Sequence, residues 1–102
     1  MKRIRAALQD MANSLQPYDD AASKYVLQAK KLSPEAIAND LSFWGGSGSL
    51  MDQAIEGERG AARRSFETAA IELGNALLEA GGRNPRMEHW IDVFQKWKAE
   101  NV

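Results

Sequence analysis

Apolar residues return every three or four positions along this chain, and nowhere do they alternate with polar ones over a run long enough for a strand. That spacing is the period of an α-helix. Ile4, Leu8, Met11 and Leu15 are separated by four, three and four residues, a single stripe that Ala7 and Ala12 widen. Pro17 closes the segment, because its ring cannot continue the preceding helix. Asp19 or Asp20 can cap a second helix running to about Leu32, with an inward face drawn from Ala22, Tyr25 or Val26, Ala29 and Leu32. Lys30 and Lys31 stand in its last turn, where cations suit the negative end of the helix dipole.

Punctuation divides the rest. Ser33-Pro34-Glu35 combines a capping hydroxyl, a proline at the first helical position and an early acid. It predicts a helix over 34–44 with Ile37, Leu41 and Trp44 on one face and Phe43 beside it, ended by Gly45-Gly46-Ser47-Gly48. Ser49 precedes Asp52 by three residues, the spacing of a capping box, and opens a short helix with Leu50, Met51, Ala54 and Ile55 that Gly57 and Gly60 break. The longest segment, 61–80, has the stripe Ala62, Phe66, Ala69 or Ala70, Leu73, Leu77 and Ala80. Gly74 inside it costs about 1 kcal/mol relative to Ala and predicts the close approach of a neighbouring helix. After the terminator Gly81-Gly82, Asn84-Pro85 starts a last helix showing Met87, Trp90 or Ile91, Phe94 and Trp97. Ala outnumbers Val and Ile together, which favours helix over sheet. The expected fold is all-α, a single antiparallel bundle of five or six helices occupying 1–102 as one domain.

Composition narrows the function mainly by exclusion. Thirteen Lys and Arg against fourteen Asp and Glu leave a formal net charge of −1, no basis for a general polyanion binder. Without cysteine, disulfides, thiol catalysis and Cys-ligated zinc are excluded. Lys2, Arg3 and Arg5 resemble the start of a leader, but Gln9, Asp10, Asn13 and Gln16 interrupt any apolar run. No stretch reaches the roughly 20 apolar residues of a membrane span. The expected location is the cytoplasm, with no membrane partner.

Catalytic chemistry finds no foothold. His89 is the one imidazole, and none of Ser47, Ser49 and Ser65 shares a motif with it. Glu88, His89 and Asp92 cluster within one turn, but the paired Glu-x-x-His pattern of bundle metal sites is missing, so a solvated charged face is expected and neither a metal nor a cofactor. The Gly/Ser loop lacks the Lys of a phosphate loop, and Asp40 and Asp52 flank it. Segments 20–32 and 34–44 have the length of a helix-turn-helix, but the helix that would enter the groove carries Glu35 and Asp40 and no cation, so nucleic acid is not an expected partner.

One charge feature stands out. From Leu32 to Glu58 the chain holds five acids (Glu35, Asp40, Asp52, Glu56, Glu58) and no Lys or Arg, and then Arg59, Arg63 and Arg64 follow. Either the two blocks compensate each other, or the acids form a face for a basic protein partner. On the second reading the partner-binding residues are Asp40, Trp44, Ser47, Ser49, Asp52, Glu56 and Glu58, and the chain is a non-enzymatic protein-binding module. The alternative is a homo-oligomeric structural or adaptor protein using Trp90, Phe94 and Trp97, since aromatics are enriched at interface centres; otherwise a monomer or weak oligomer is expected. A DNA-binding regulator ranks behind both.

The stretch Phe43-Trp44-Gly45-Gly46-Ser47-Gly48-Ser49-Leu50-Met51-Asp52 resembles a motif of small, uncharacterised bacterial helical proteins: Gly-Gly-x-Gly-Ser, an apolar residue, one variable position and an Asp. Gln53-Ala54 stand where those proteins continue with apolar residues. The resemblance implies a bacterial source and an all-α fold, and assigns no activity and no residue role. By size and class the chain also resembles immunity proteins encoded beside secreted bacterial toxins, which implies a toxin domain as its partner.

Overall fold

The helix stripes and caps read from the sequence come together in a computed structural model that describes residues 1–57 and 60–100. In chain order the elements are α1 (Lys2–Leu15), α2 (Asp20–Ala29), α3 (Pro34–Ala38), α4 (Leu41–Trp44), α5 (Leu50–Glu56), α6 (Gly60–Glu79) and α7 (Pro85–Glu100). Six are helices of five residues or more, α4 is a single turn, and the described residues contain no strand. Each of the seven contributes buried side chains to one apolar cluster, from Ile4 and Leu8 through Val26, Ile37, Phe43 and Met51 to Leu73 and Phe94. A radius of gyration of 12.2 Å is close to the roughly 13 Å of a 100-residue globule, so these elements share one core.

The caps work as the sequence predicts. Asp19 accepts a hydrogen bond from the Ala22 N–H at 3.0 Å, and Ser33 accepts one from the Ala36 N–H at 3.2 Å. Asn84 does two jobs: its side-chain oxygen accepts from the Arg86 N–H at 2.9 Å, and its amide donates to the Ala38 carbonyl at 2.6 Å, tying the start of α7 to α3.

The predicted helix over 34–44 is the main correction, because it breaks between α3 and α4. Asn39 donates its side-chain amide back to the Glu35 carbonyl at 2.9 Å. Asp40 takes an extended backbone (φ −71°, ψ 112°) and accepts from the Ser42 N–H at 2.8 Å. Two short polar side chains thus offer the backbone an alternative to helix. The break turns Leu41, expected inward, to 64% exposure, while the Trp44 indole donates to the Ile37 carbonyl at 2.9 Å inside the core. Leu32, also expected inward, is exposed because α2 ends at Ala29, and Ala80 is exposed at the end of its helix.

α6 organises the rest. Arg3, at the start of α1, pairs with Glu72 and Glu79 on the second half of α6, whereas Asp10, Asn13 and Ser14 face Arg64, Ser65 and Thr68 on the first half. Toward α7, the guanidinium of Arg63 lies 4.3 Å from the centre of the Trp97 ring, and Gly74 meets Ile91.

Candidate functional site

The Gly/Ser loop joins α4 to α5 through backbone that only glycine adopts freely: Gly46 and Gly48 sit at φ 83° and 84°. Beyond it, Ser49 accepts from the Asp52 N–H at 3.1 Å, and Asp52 accepts from the Gly48 N–H at 3.3 Å. This is the expected capping box with its return bond moved one residue back, the Ser49 N–H being donated to the Gly46 carbonyl at 3.3 Å. Gln53 closes the loop by donating its amide to the Gly48 carbonyl at 2.8 Å.

This geometry divides the predicted binding residues. Trp44 is 1% exposed and Ser49 is 4% exposed, with the Ser49 hydroxyl spent on the cap. Neither presents its side chain to a partner, and both leave the predicted surface. The indole is held inward by its bond to Ile37, and the serine by the helix it starts. Ser47 is exposed at the loop tip, Asp52 half-buried at the start of α5, and Glu56 exposed at its end. Asp52 and Glu56 are four residues apart and share a helix face. Asp40, half-buried, accepts from the Tyr25 hydroxyl at 2.6 Å. Burial, and then that bond to a carboxylate, push the Tyr25 phenol up to about 12, so it stays a donor at any physiological pH. Glu58 lies outside the described residues.

Two concavities flank α5, and Leu50 lines both. One, of about 420 Å³, is a shallow depression bordered by Tyr25, Leu41, Ser47 and Leu50. The other, of about 320 Å³, is a deeper and largely apolar cleft walled by Leu15, Tyr18, Leu50 and Phe66, with Glu56 and Arg63 at its polar side. Sequence reasoning missed Tyr18 and Leu41, which are 53% and 64% exposed. Tyr18 follows Pro17 in the α1–α2 turn, a position where a large aromatic has no helix stripe to join. Leu41 was hidden by the break at Asp40.

Among the described residues, neither Arg63 nor Arg64 forms an ion pair with the acidic block. The ion pairs of the described residues join Arg3 to Glu72 and Glu79, Arg83 to Glu88 at 3.7 Å, and Lys96 to Asp92 at 3.0 Å. Arg63 instead stacks on Trp97 and donates to the Gly57 carbonyl at 3.4 Å. Among the described residues, Asp40, Asp52 and Glu56 pair with no cation, and no group of three potential metal ligands comes together. His89 lies against Trp90, ring centres 5.4 Å apart, on an exposed stretch of α7. No helix of the described residues is long and apolar enough to cross a membrane. Compared with family models, curated proteins and solved structures, the chain matches none.

Proposed function

We propose that the chain is a non-enzymatic protein-binding module that takes a basic protein partner on the face built around α5. The observation that carries this is the pairing of exposed apolar surface with acids that no cation among the described residues pairs. Tyr18 and Leu41 each line one of the two Leu50-linked concavities, Glu56 stands in the wall of the first, and Asp40 and Asp52 accept hydrogen bonds from Tyr25 and Gly48 in the wall of the second. Apolar anchors in a concavity supply affinity, whereas charge around them raises the association rate and selects the partner's sign. An immunity-type role, neutralising a basic bacterial toxin domain, is the version of this reading that the size and helical class favour. The contacts of Arg3 with Glu72 and Glu79, of Arg63 with Trp97 and of Gly74 with Ile91, together with the short connections, support an antiparallel bundle.

A Glu56→Lys variant tests the face, since Glu56 is exposed and caps nothing. Captured from its own cell extract, the partner is expected to be basic, to dissociate at high salt, and to be lost from a Glu56→Lys variant with an unchanged melting temperature. Capture that survives both Glu56→Lys and Leu41→Ser overturns the assignment.

A further inference from the structure

Glu67 is the one ionisable side chain in the fully enclosed part of the core among the described residues: it is 1% exposed, and neither carboxylate oxygen has a hydrogen-bond partner. Its position explains how it came to be there. Arg63, Glu67 and Gly74 lie four and seven residues apart, on one face of α6. That face receives α7, with Arg63 over Trp97 and Gly74 under Ile91. Glu67 is therefore sealed between α6 and the C-terminal half of α7. The Nε of Arg63, one turn earlier, is likewise buried without a partner. A buried acceptor and a buried donor, four residues apart on one helix, are not bonded to each other.

An unpartnered carboxylate inside a protein is costly, whereas the neutral acid is much less so. We propose that Glu67 is a proton-operated latch: protonated, it lets the C-terminal half of α7 pack on α6, and ionised, it loosens that packing. Among the described residues, the charged groups that act on it are Lys98 from α7 and Arg63 from α6 itself. Burial raises the carboxyl above its ordinary value of 4.5, and the two cations pull it back only in part. Once ionised, the carboxylate attracts Lys98 and Arg63, and pairing with Arg63 takes the guanidinium off the Trp97 ring. The Arg63–Trp97 stack and an Arg63–Glu67 pair are thus alternative arrangements, selected by one proton. The latch lies in the α6–α7 contact and does not rest on the acidic face around α5.

The sign follows from linkage. A carboxyl whose value is raised in the packed state stabilises that state fully below pH 4.5, and the stabilisation is lost as pH rises through the raised value. Two measurements test this: carbon NMR titration of the Glu67 carboxyl in the unaltered protein, and amide hydrogen exchange as a function of pH, corrected for intrinsic rate, in that protein and in Glu67→Gln. Opening of residues 94–100 is expected to rise by up to about tenfold per pH unit above the ordinary carboxyl value and then level off. Protection in α1 is expected to stay constant, and Glu67→Gln to give a flat profile. A Glu67 carboxyl that titrates at or below the ordinary value overturns the latch, even if the Gln variant does not fold. So does a Gln variant that keeps the pH dependence, or a loosening that spreads equally over α1.

Discussion

α6 carries α1 on one face and α7 on another, and the two contacts are made from different materials. Toward α1 the centre of the contact is apolar: Ile4, Ala7, Leu8 and Met11 from α1 belong to the same buried cluster as Ala69, Ala70, Leu73 and Leu77. Polar groups stay at the rim, where Arg3 meets Glu72 and Glu79 in half-exposed pairs. Toward α7 the contact begins with a notch, since a Cβ on Gly74 would lie 2.1 Å from Ile91 Cδ1. It continues with Phe66 against Phe94, ring centres 6.4 Å apart, and ends in the buried Glu67 and the Arg63–Trp97 stack. An apolar seam tolerates no internal water and no titration. A seam that encloses a carboxyl is stable only in one protonation state. The first contact is built to hold, and the second to respond.

The largest expected effect tests the holding contact. Leu8 is fully buried, so Leu8→Ala should cost about 2–5 kcal/mol, with the transfer and cavity terms both at work. Urea denaturation should show one cooperative loss in which all helices melt together. A variant that loses α1 alone would reverse the roles assigned to the two contacts.

Next comes the notch. In Gly74→Ala, a gain of about 1 kcal/mol in helix propensity is opposed by the displacement of Ile91, an overpacking cost of about 1–3 kcal/mol. The net change should be destabilising and should appear as faster exchange in α7 before any other element. Ile91→Ala in the same chain should recover part of the loss, so that the two substitutions are not additive. Additive costs would mean that α7 does not seat on Gly74.

A smaller effect is expected at α5, where caps matter more than burial: of its seven residues only Met51 is fully buried. Ser49→Ala should cost about 1 kcal/mol by removing the cap, and Ser47→Ala less than about 0.5 kcal/mol as a surface change. Thermal melts of the two variants side by side measure the difference. Equal effects would remove the distinction between the capping serine and the loop-tip serine.

The holding contact was legible in the sequence and the responsive one was not, for a physical reason. Ile4, Leu8 and Met11 announce their stripe because every member is apolar, and the Ser33, Ser49 and Asn84 starts announce themselves because each cap has a fixed offset from its helix. Even Gly74 gave a correct expectation, since a glycine in mid-helix has few uses other than close approach. Glu67, by contrast, is an ordinary solvent-facing residue type in an Ala-rich helix, and only the arrival of α7 seals it. Of the proposed surface around α5, the acids Asp52 and Glu56 were visible in the sequence, whereas the concavities beside them were not. Leu41, expected on one face with Ile37 and Trp44, turned outward when Asn39 and Asp40 broke the helix, because side-chain competition for the backbone depends on partners such as Tyr25 that are distant in sequence.

The smallest expected effect separates the two contacts by the sign of their response to pH. The hydrogen bond from Arg3, and then its charge, hold the Glu72 carboxyl below the ordinary value of 4.5 against a partial opposition from burial. A carboxyl lowered in the folded state contributes stability above its ordinary value, and that contribution is lost as pH falls through the lowered one. The rim of the α1–α6 contact therefore weakens in acid, whereas the Glu67 latch weakens as pH rises. The Arg3 and Glu72 side chains are 43% and 45% exposed, so water and salt screen the pair and its contribution is slight. Arg3→Ala should lower the melting temperature at neutral pH only slightly and leave it unchanged in strong acid, which flattens the acid limb of the stability profile, and molar salt should erase the difference from the unaltered protein. Glu67→Gln should flatten only the opposite limb, and the double variant should lose both. If Arg3→Ala instead altered the neutral limb, the two contacts would be coupled through α6, and the division into a contact that holds and one that responds would fail.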